Sequence, residues 1–390
     1  MKRIPIGDFP IGPDERTALQ RVIDSGRISE HREVKSFEYE YAEWLGTKHC
    51  IALSSGTAAL MVGLAASRHT AHAGRTNVLV PALTFIATVN AIKLTGYEPI
   101  FSDIDVSTYT LRPNGIMWHD ADIILPVHLF GYAADMDKIL TRQKWSITQP
   151  LVVEDAAEAH GTTHCRQKVG TFGLWSAFSF YIAHSIQAGE LGCLCTDDDT
   201  IASIARSLKA HGRICQCRKC TRNEGYCPHL EHGDPRFTFQ YIGYNFKPME
   251  FQAALARVQL QKSEENFNKR RCNFRLLKTY LAPIEHHINP IYEQPGMVPM
   301  AFPIVLQTEG IRDRVIYELE SKGIEARPLF GCIPTQQPAY SAYKDQYEGK
   351  LPVAEYYGAN GFYVGCHQYL SKGDMSRAGR VIVDTVKGLS

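Results

Sequence analysis

Short apolar runs alternate with longer amphipathic segments through the first half of this chain, and that alternation constrains the fold more than any other feature. The runs cover residues 50–53, 78–80, 98–101, 123–127, 151–153 and 192–195; between them, segments such as 57–66 and 85–94 repeat apolar residues at helical spacing. Strands apolar on both faces and separated by helices predict an α/β unit with a mostly parallel, two-sided sheet. Sheets of this kind bind ligands beyond the carboxyl ends of their strands, so the loops after these runs are where function is to be sought. A polar, Gly-containing stretch around 213–234 precedes a long helical pattern from Met249 to about Phe267. A strand-like run at 300–306 and helices over 311–322 and 371–387 then predict a smaller α+β unit. The expected division is a large domain over 1–255, carrying a Cys-rich insertion at 213–236, and a C-terminal domain over 256–390.

Charge and hydropathy exclude several function classes. With 42 Lys+Arg against 41 Asp+Glu the net charge is +1, which gives no bias toward nucleic acid or anionic lipid. The longest apolar stretch, 78–92, is interrupted by Pro81, Thr84, Thr88 and Asn90, and falls short of the roughly 20 residues a membrane span needs. The start, MKRIPIGDFPIG, has no apolar h-region after its basic residues. These features predict a cytoplasmic protein with neither nucleic-acid nor membrane partners. Eleven cysteines, an odd number, argue against a disulfide framework there.

Three loops carry chemistry. Ser54-Ser55-Gly56-Thr57-Ala58-Ala59-Leu60 follows the first run and opens a helix, where backbone N–H groups and hydroxyls make a phosphate seat, although Ser and Thr are also common N-caps. The run at 151–153 leads into Glu154-Asp155-Ala156-Ala157-Glu158-Ala159-His160-Gly161, which sets a carboxylate at a strand end; it either holds a protonated ring nitrogen or is a surface Asp. Residues 177–184, AFSFYIAH, place a hydroxyl and an imidazole just beyond an apolar segment.

In order along the chain, Gly26-Arg27-Ile28-Ser29, SSGTAAL, PALTFIAT at 81–88, PVHLFG at 126–131, EDAAEAHG, Gly243-Tyr244-Asn245-Phe246 and Gln337-Pro338-Ala339-Tyr340 resemble the sugar aminotransferase family of fold-type I pyridoxal-phosphate (PLP) enzymes. That resemblance implies an aspartate-aminotransferase-like large domain plus a small domain, a nucleotide-linked keto-sugar as substrate, and site roles. Gly56 and Thr57 would bind the cofactor phosphate with Ser179, and Phe85 would cover one face of the ring. Asp155 would keep the pyridine nitrogen protonated. Glu158, where the family usually has Gln, would lie near the 3-hydroxyl. Asn245 would reach the phosphate of a neighbouring subunit, implying a homodimer with shared active sites. Arg327 is placed like a substrate contact.

One position departs decisively from the aminotransferases. Where they carry the lysine that binds the cofactor covalently, this chain has His184, and no lysine lies between Thr171 and Leu208. The cofactor would then sit noncovalently as pyridoxamine phosphate (PMP). His184, with an unperturbed pKa near ~6.5, is suited to take the C4′ proton and pass it on. Loss of the C3 hydroxyl, and not amino transfer, would follow. The exchange resembles the 3-dehydratases that make 3-deoxysugars, of the GDP-4-keto-6-deoxymannose and CDP-4-keto-6-deoxyglucose types. His128, His160 and His367 are weaker candidates, since a lone His is more often structural.

Four cysteines, Cys215, Cys217, Cys220 and Cys227, cluster in HGRICQCRKCTRNEGYCPHLEHGD, which offers no apolar face to bury thiols. Zinc or an iron–sulfur cluster needs such thiolates. The insertion resembles that of the iron–sulfur CDP-4-keto-6-deoxyglucose 3-dehydrase, although Ala157 stands where that enzyme takes one ligand and Cys220 has no counterpart there. An iron–sulfur centre would deliver single electrons and require an external reductase. Cys193 and Cys195 read as small buried side chains. Three functions are thus carried forward: an iron–sulfur PMP-dependent 3-dehydratase, a cluster-free colitose-type dehydratase with structural zinc, and a noncatalytic sugar-binding protein on the same fold.

Overall fold

The computed structural model describes residues 3–70, 74–113, 120–146, 149–215 and 234–389. The first five predicted apolar runs form strands β1 (His49–Leu53), β2 (Asn77–Pro81), β3 (Glu98–Ser102), β4 (Ile123–Ile124) and β5 (Leu151–Val152), and β6 (Glu154–Asp155) follows them. A small hairpin, β7 (Thr163–His164) and β8 (Gln167–Lys168), precedes β9 (Ser176–Ser179) and β10 (Gly192–Thr196). One half of the main sheet runs β3-β2-β4-β5 and is entirely parallel; the other runs β1-β10-β9-β6, with β6 and β9 parallel. β5 and β6 are successive parts of one segment, where the Val153 N–H donates to Ile124 O on one side and the Glu154 N–H to Trp175 O on the other. The halves therefore join in one mostly parallel layer. Strand β10 is the exception, antiparallel to both neighbours, with Cys50 registered against Cys195 and Ala52 against Cys193.

Helices cover both faces. Gly56–Arg68 follows β1 and is buried on nearly every side, as its Ala- and Leu-rich sequence allows. On helix Arg32–Leu45 the buried positions Val34, Phe37, Tyr41, Ala42 and Leu45 recur at helical spacing and pack on Cys50, Phe178, Cys193 and Cys195. The N-cap of this helix, His31, makes no side-chain cap bond. The buried carboxylate of Glu250 caps it instead, accepting the N–H groups of His31 (2.7 Å), Glu33 (2.7 Å) and Val34 (3.0 Å).

The long helical pattern from Met249 is broken into Glu250–Gln261 and Ser263–Tyr280 at Lys262 (φ −91°, ψ 0°). Ala254 and Val258 of the first pack against Ala18 and Val22 of helix Pro13–Ser25, so the 255/256 division expected from sequence falls inside one helix. Beyond lies a three-stranded antiparallel sheet, β11 (Phe302–Val305), β12 (Ala326–Pro328) and β13 (Gly361–Val364), with β13 central. Ile4 pairs with Ile324, which ties the beginning of the chain to this sheet. Among the described residues no helix is long and apolar enough to cross a membrane.

Candidate active site

A cavity of about 380 Å³ opens at the carboxyl ends of β6 and β9 and the start of helix Gly56–Arg68. Gly56, Thr57, Phe85, Asp155, Glu158, Ser179, His184 and Arg327, eight residues singled out from sequence, all line it. No lysine lines it among the described residues. Asn245 and Cys215 line a second cavity, together with Cys50. Cys217, Cys220 and Cys227 lie outside the described residues.

The helix start forms a tight cradle. Ser55 caps it through its hydroxyl, which accepts the Ala58 N–H at 3.1 Å. A Cβ on Gly56 would lie 2.6 Å from the Ser179 Cβ, and one on Gly192 only 2.1 Å from Ser55 O, so glycine at both positions lets the helix sit directly against β9 and β10. Beside it Phe85 is 54% exposed, a large apolar ring left on an open wall of the cavity.

Asp155 is buried at the end of β6, where its carboxylate accepts the Thr88 hydroxyl at 2.7 Å and the Ala157 N–H at 3.1 Å. Burial raises its pKa, and the Thr88 bond only partly offsets this. Thr88 itself sits 3.1 Å from the Thr84 hydroxyl. Neither threonine is legible as a site residue from sequence; both lie in the 81–88 segment, whose pattern points to a helix start. Glu158 accepts the Phe130 N–H at 2.7 Å, and burial pushes its pKa up to about 8, so at neutral pH it is largely a neutral carboxyl.

His184 stands in the turn after β9 with its Nδ1 2.8 Å from Ser179 O. A carbonyl only accepts, so Nδ1 carries the proton and Nε2 is left as the basic nitrogen. Burial lowers the His184 pKa to about 4, well below the ordinary value expected from sequence, and the Ser179 bond opposes the shift. The turn is anchored from below by Arg270, wholly buried on the helix Ser263–Tyr280. Its guanidinium donates to His184 O (2.8 Å), Met300 O (2.8 Å) and Gln368 Oε1 (2.7 Å). Nothing in the sequence distinguishes Arg270 from its basic neighbours on that helix.

The other histidines do not line the cavity. His128 is buried against Glu154 (3.1 Å), whose carboxylate also accepts the N–H groups of Gly170, Phe172 and Gly173. His160 and His367 are likewise buried. Arg327 lies at the mouth, paired with Glu325 at 2.7 Å. Away from the cavity, Cys50, Cys193 and Cys195 bring three buried thiols within 4.8 Å of one another, a grouping that only the β1–β10 register creates.

The model of the DegT/DnrJ/EryC1/StrS aminotransferase family matches residues 10–383. A GDP-perosamine synthase of Caulobacter vibrioides is 30% identical over 97% of this chain and 96% of its own length. A GDP-4-keto-6-deoxy-D-mannose 3-dehydratase of Yersinia pseudotuberculosis is 28% identical over 94% and 96%. Among solved structures, E coli GDP-4-keto-6-deoxy-D-mannose-3-dehydratase with bound hydrated PLP is similar with a TM-score of 0.86 at 26% identity, over 98% of this chain and 100% of that one.

Proposed function

The chain belongs to the DegT/DnrJ/EryC1/StrS aminotransferase family, and from that premise we propose that it is a PMP-dependent nucleotide-sugar 3-dehydratase acting on a 4-keto-6-deoxysugar. Relatives named GDP-perosamine synthase and GDP-4-keto-6-deoxy-D-mannose 3-dehydratase are about equally similar, so the choice between amino transfer and dehydration rests on the site. The single observation that carries the reading is His184. By the motif resemblance it stands where the aminotransferases carry their lysine; it lines the cavity and holds its Nδ1 proton on Ser179 O, which leaves Nε2 as a base.

The residues present fit the cofactor. The glycine cradle at Gly56, the hydroxyls of Thr57 and Ser179, and the free backbone N–H groups at the helix start would hold its phosphate. Phe85 would cover the ring. Asp155, buried with no ion-pair partner within salt-bridge distance among the described residues, presents a carboxylate that a pyridinium N–H would satisfy. When bound, PMP supplies an amino group for the sugar ketone and a ring that accepts electrons. Around it, Asp155 holds the proton of the ring nitrogen and Glu158 presents a neutral carboxyl. His184 takes a proton at Nε2 and can return it to the departing C3 hydroxyl. At pH 7 the imidazole is neutral and can accept a proton, and burial makes it a weaker base than a free imidazole. Arg327 at the mouth would meet the substrate, and Asn245, which lines the second cavity, would serve the site of a partner subunit in a homodimer.

The second cofactor of this proposal is an iron–sulfur cluster on Cys215, Cys217, Cys220 and Cys227, served by an external reductase. The support is the C-x-C-x2-C-x6-C spacing. Likeness over nearly the whole chain to GDP-4-keto-6-deoxymannose 3-dehydratases favours a second reading, a cluster-free enzyme with zinc on those thiols. Anaerobic absorption spectra before and after dithionite, with iron and sulfide counted, separate the two. Broad absorption that bleaches supports the cluster; a colourless, iron-free protein that dehydrates sugar with glutamate alone supports the second reading. The dehydratase reading itself is tested by solvent exchange at C4′ of bound PMP. Loss of exchange in His184→Asn with PMP still bound is the expected result; unchanged exchange would reject His184 as the base.

A further inference from the structure

The carbonyl that holds His184 is shared. Along the β6 edge of β9, the Glu154 N–H donates to Trp175 O (3.0 Å) and the Ala156 N–H to Ala177 O (2.9 Å). Pairing with β6 ends at Asp155 opposite Ala177, so the next carbonyl on that edge, Ser179 O, has passed beyond its strand partner. Two imidazoles take it. His184 Nδ1 lies at 2.8 Å and His160 Nε2 at 2.7 Å. The His160 tautomer is fixed from its other side, because the Tyr41 hydroxyl lies 2.9 Å from Nδ1 and is the donor when Nε2 carries the proton. Tyr41 and His160 are both completely buried.

We propose that His160, held by Tyr41, is a positioning residue for His184: it competes for the Ser179 carbonyl and so sets how strongly that carbonyl supports a proton on the base. This deepens the dehydratase reading and rests on it for its catalytic meaning. A carbonyl that accepts two donors gives less to each, and the bond to a charged imidazolium suffers more than the bond to a neutral ring. The competitor therefore favours the neutral, proton-accepting form of His184. Other charged or titratable groups facing His184 act alongside it. Arg270 lies behind the turn, Tyr181 is within the turn, and Asp155, Glu158, Glu190, Arg327 and Tyr363 line the same cavity.

Long-range nitrogen–proton correlation spectra of the full, cofactor-free chain labelled with [15N]histidine test the proposal, with signals assigned through His184→Asn and His160→Gln. In the wild type, His184 should appear as the Nδ1–H tautomer and His160 as the Nε2–H tautomer. In His160→Phe the midpoint of His184 should rise by about one pH unit, since the whole carbonyl then supports the imidazolium. In His160→Gln, whose amide can donate to Ser179 O and accept from Tyr41, it should return close to wild type. An unmoved midpoint in folded His160→Phe, or the opposite tautomer at His184, overturns the proposal. Should His160→Phe not fold, Tyr41→Phe takes its place: a smaller rise with mixed His160 tautomers supports the arrangement, and no change in either overturns it. None of these readouts needs substrate. A midpoint that moves while the pH profile of C4′ exchange does not would leave His160 as the positioning group and reject His184 as the base.

Discussion

Burial shifts the titration of single side chains in this cavity away from their ordinary values, and that is their most informative property. Burial raises the pKa of Asp155, whose hydrogen-bond partners among the described residues are the Thr88 hydroxyl and the Ala157 N–H, and a cation at its carboxylate would reverse that shift. Replacing it by Asn removes the charge without emptying the space. PMP affinity, read by quenching of the cofactor's fluorescence, should then fall about 10- to 100-fold, the worth of a charge-assisted bond. Unchanged affinity would mean that Asp155 does not face the ring nitrogen. A carboxylate at that strand end was legible in EDAAEAHG, while its ring-nitrogen role came from the family resemblance. The bond from Thr88 was not legible, because it joins residues 67 positions apart. The depressed pKa of His184 was equally hidden, since it comes from burial, which no local pattern records.

Two elements show where sequence patterns suffice and where they fail. Continuous apolar runs located β1 to β5 and β10, and helical spacing located the helices that follow β1 and β2, whereas β6 to β9 lie outside those runs. Such patterns could not place Glu250, a residue that looks like an ordinary helix-opening acid and yet caps a different helix 219 residues away from His31. Glu250→Gln keeps the shape but offers one acceptor atom in place of two, leaving at least one buried N–H of the helix Arg32–Leu45 unpaired. A loss of about 2 kcal/mol in urea unfolding is expected, and a loss under about 0.5 kcal/mol would show that the cap contributes little. At the other end of the sheet, the 2.1 Å approach of a Cβ at Gly192 to Ser55 O sets backbone against backbone. Gly192→Ala must push the helix start at Gly56, proposed to seat the cofactor phosphate, away from β10. PMP binding should weaken at least tenfold, together with a lower unfolding midpoint; full PMP affinity would show that the cradle adjusts. The thiol group of Cys50, Cys193 and Cys195 likewise exists only through the register of β1 on β10, which is why the same cysteines read as unrelated core residues in sequence.

Over the whole molecule these buried groups shape how stability depends on pH. His184 and His160 are held neutral, with pKa values pushed down by burial to about 4 and about 3, against about 6.5 once unfolded. Below pH 6.5 the unfolded chain therefore binds more protons at these two sites, and their contribution is lost progressively as pH falls toward 3. Glu158 works in the other direction. Its folded pKa of about 8 lies above its unfolded value of 4.5, so its contribution is complete below pH 4.5 and lost as pH rises through 8. Between 4.5 and 6.5 two histidines outweigh one glutamate. Above 6.5 the glutamate is opposed by Cys195, whose thiol, against its burial, is held down to about 6 by hydrogen bonds from Cys193, Cys50 and Thr47. The cofactor-free protein should accordingly gain thermal midpoint from pH 5 to 6.5 and change little from there to 8. Glu158→Gln should turn that plateau into a rise and leave the acid side in place. Midpoints measured by calorimetry across pH 5 to 8 decide this: a profile between 6.5 and 8 that Glu158→Gln leaves unchanged would reject a neutral buried carboxyl at Glu158. Bound PMP should change the profile again, because a pyridinium beside Asp155 makes the carboxylate, and not the acid, the stabilised form at that site. A protein that gains stability from its cofactor most strongly above the ordinary carboxylate range would thus report, without any substrate, that Asp155 and the ring nitrogen meet.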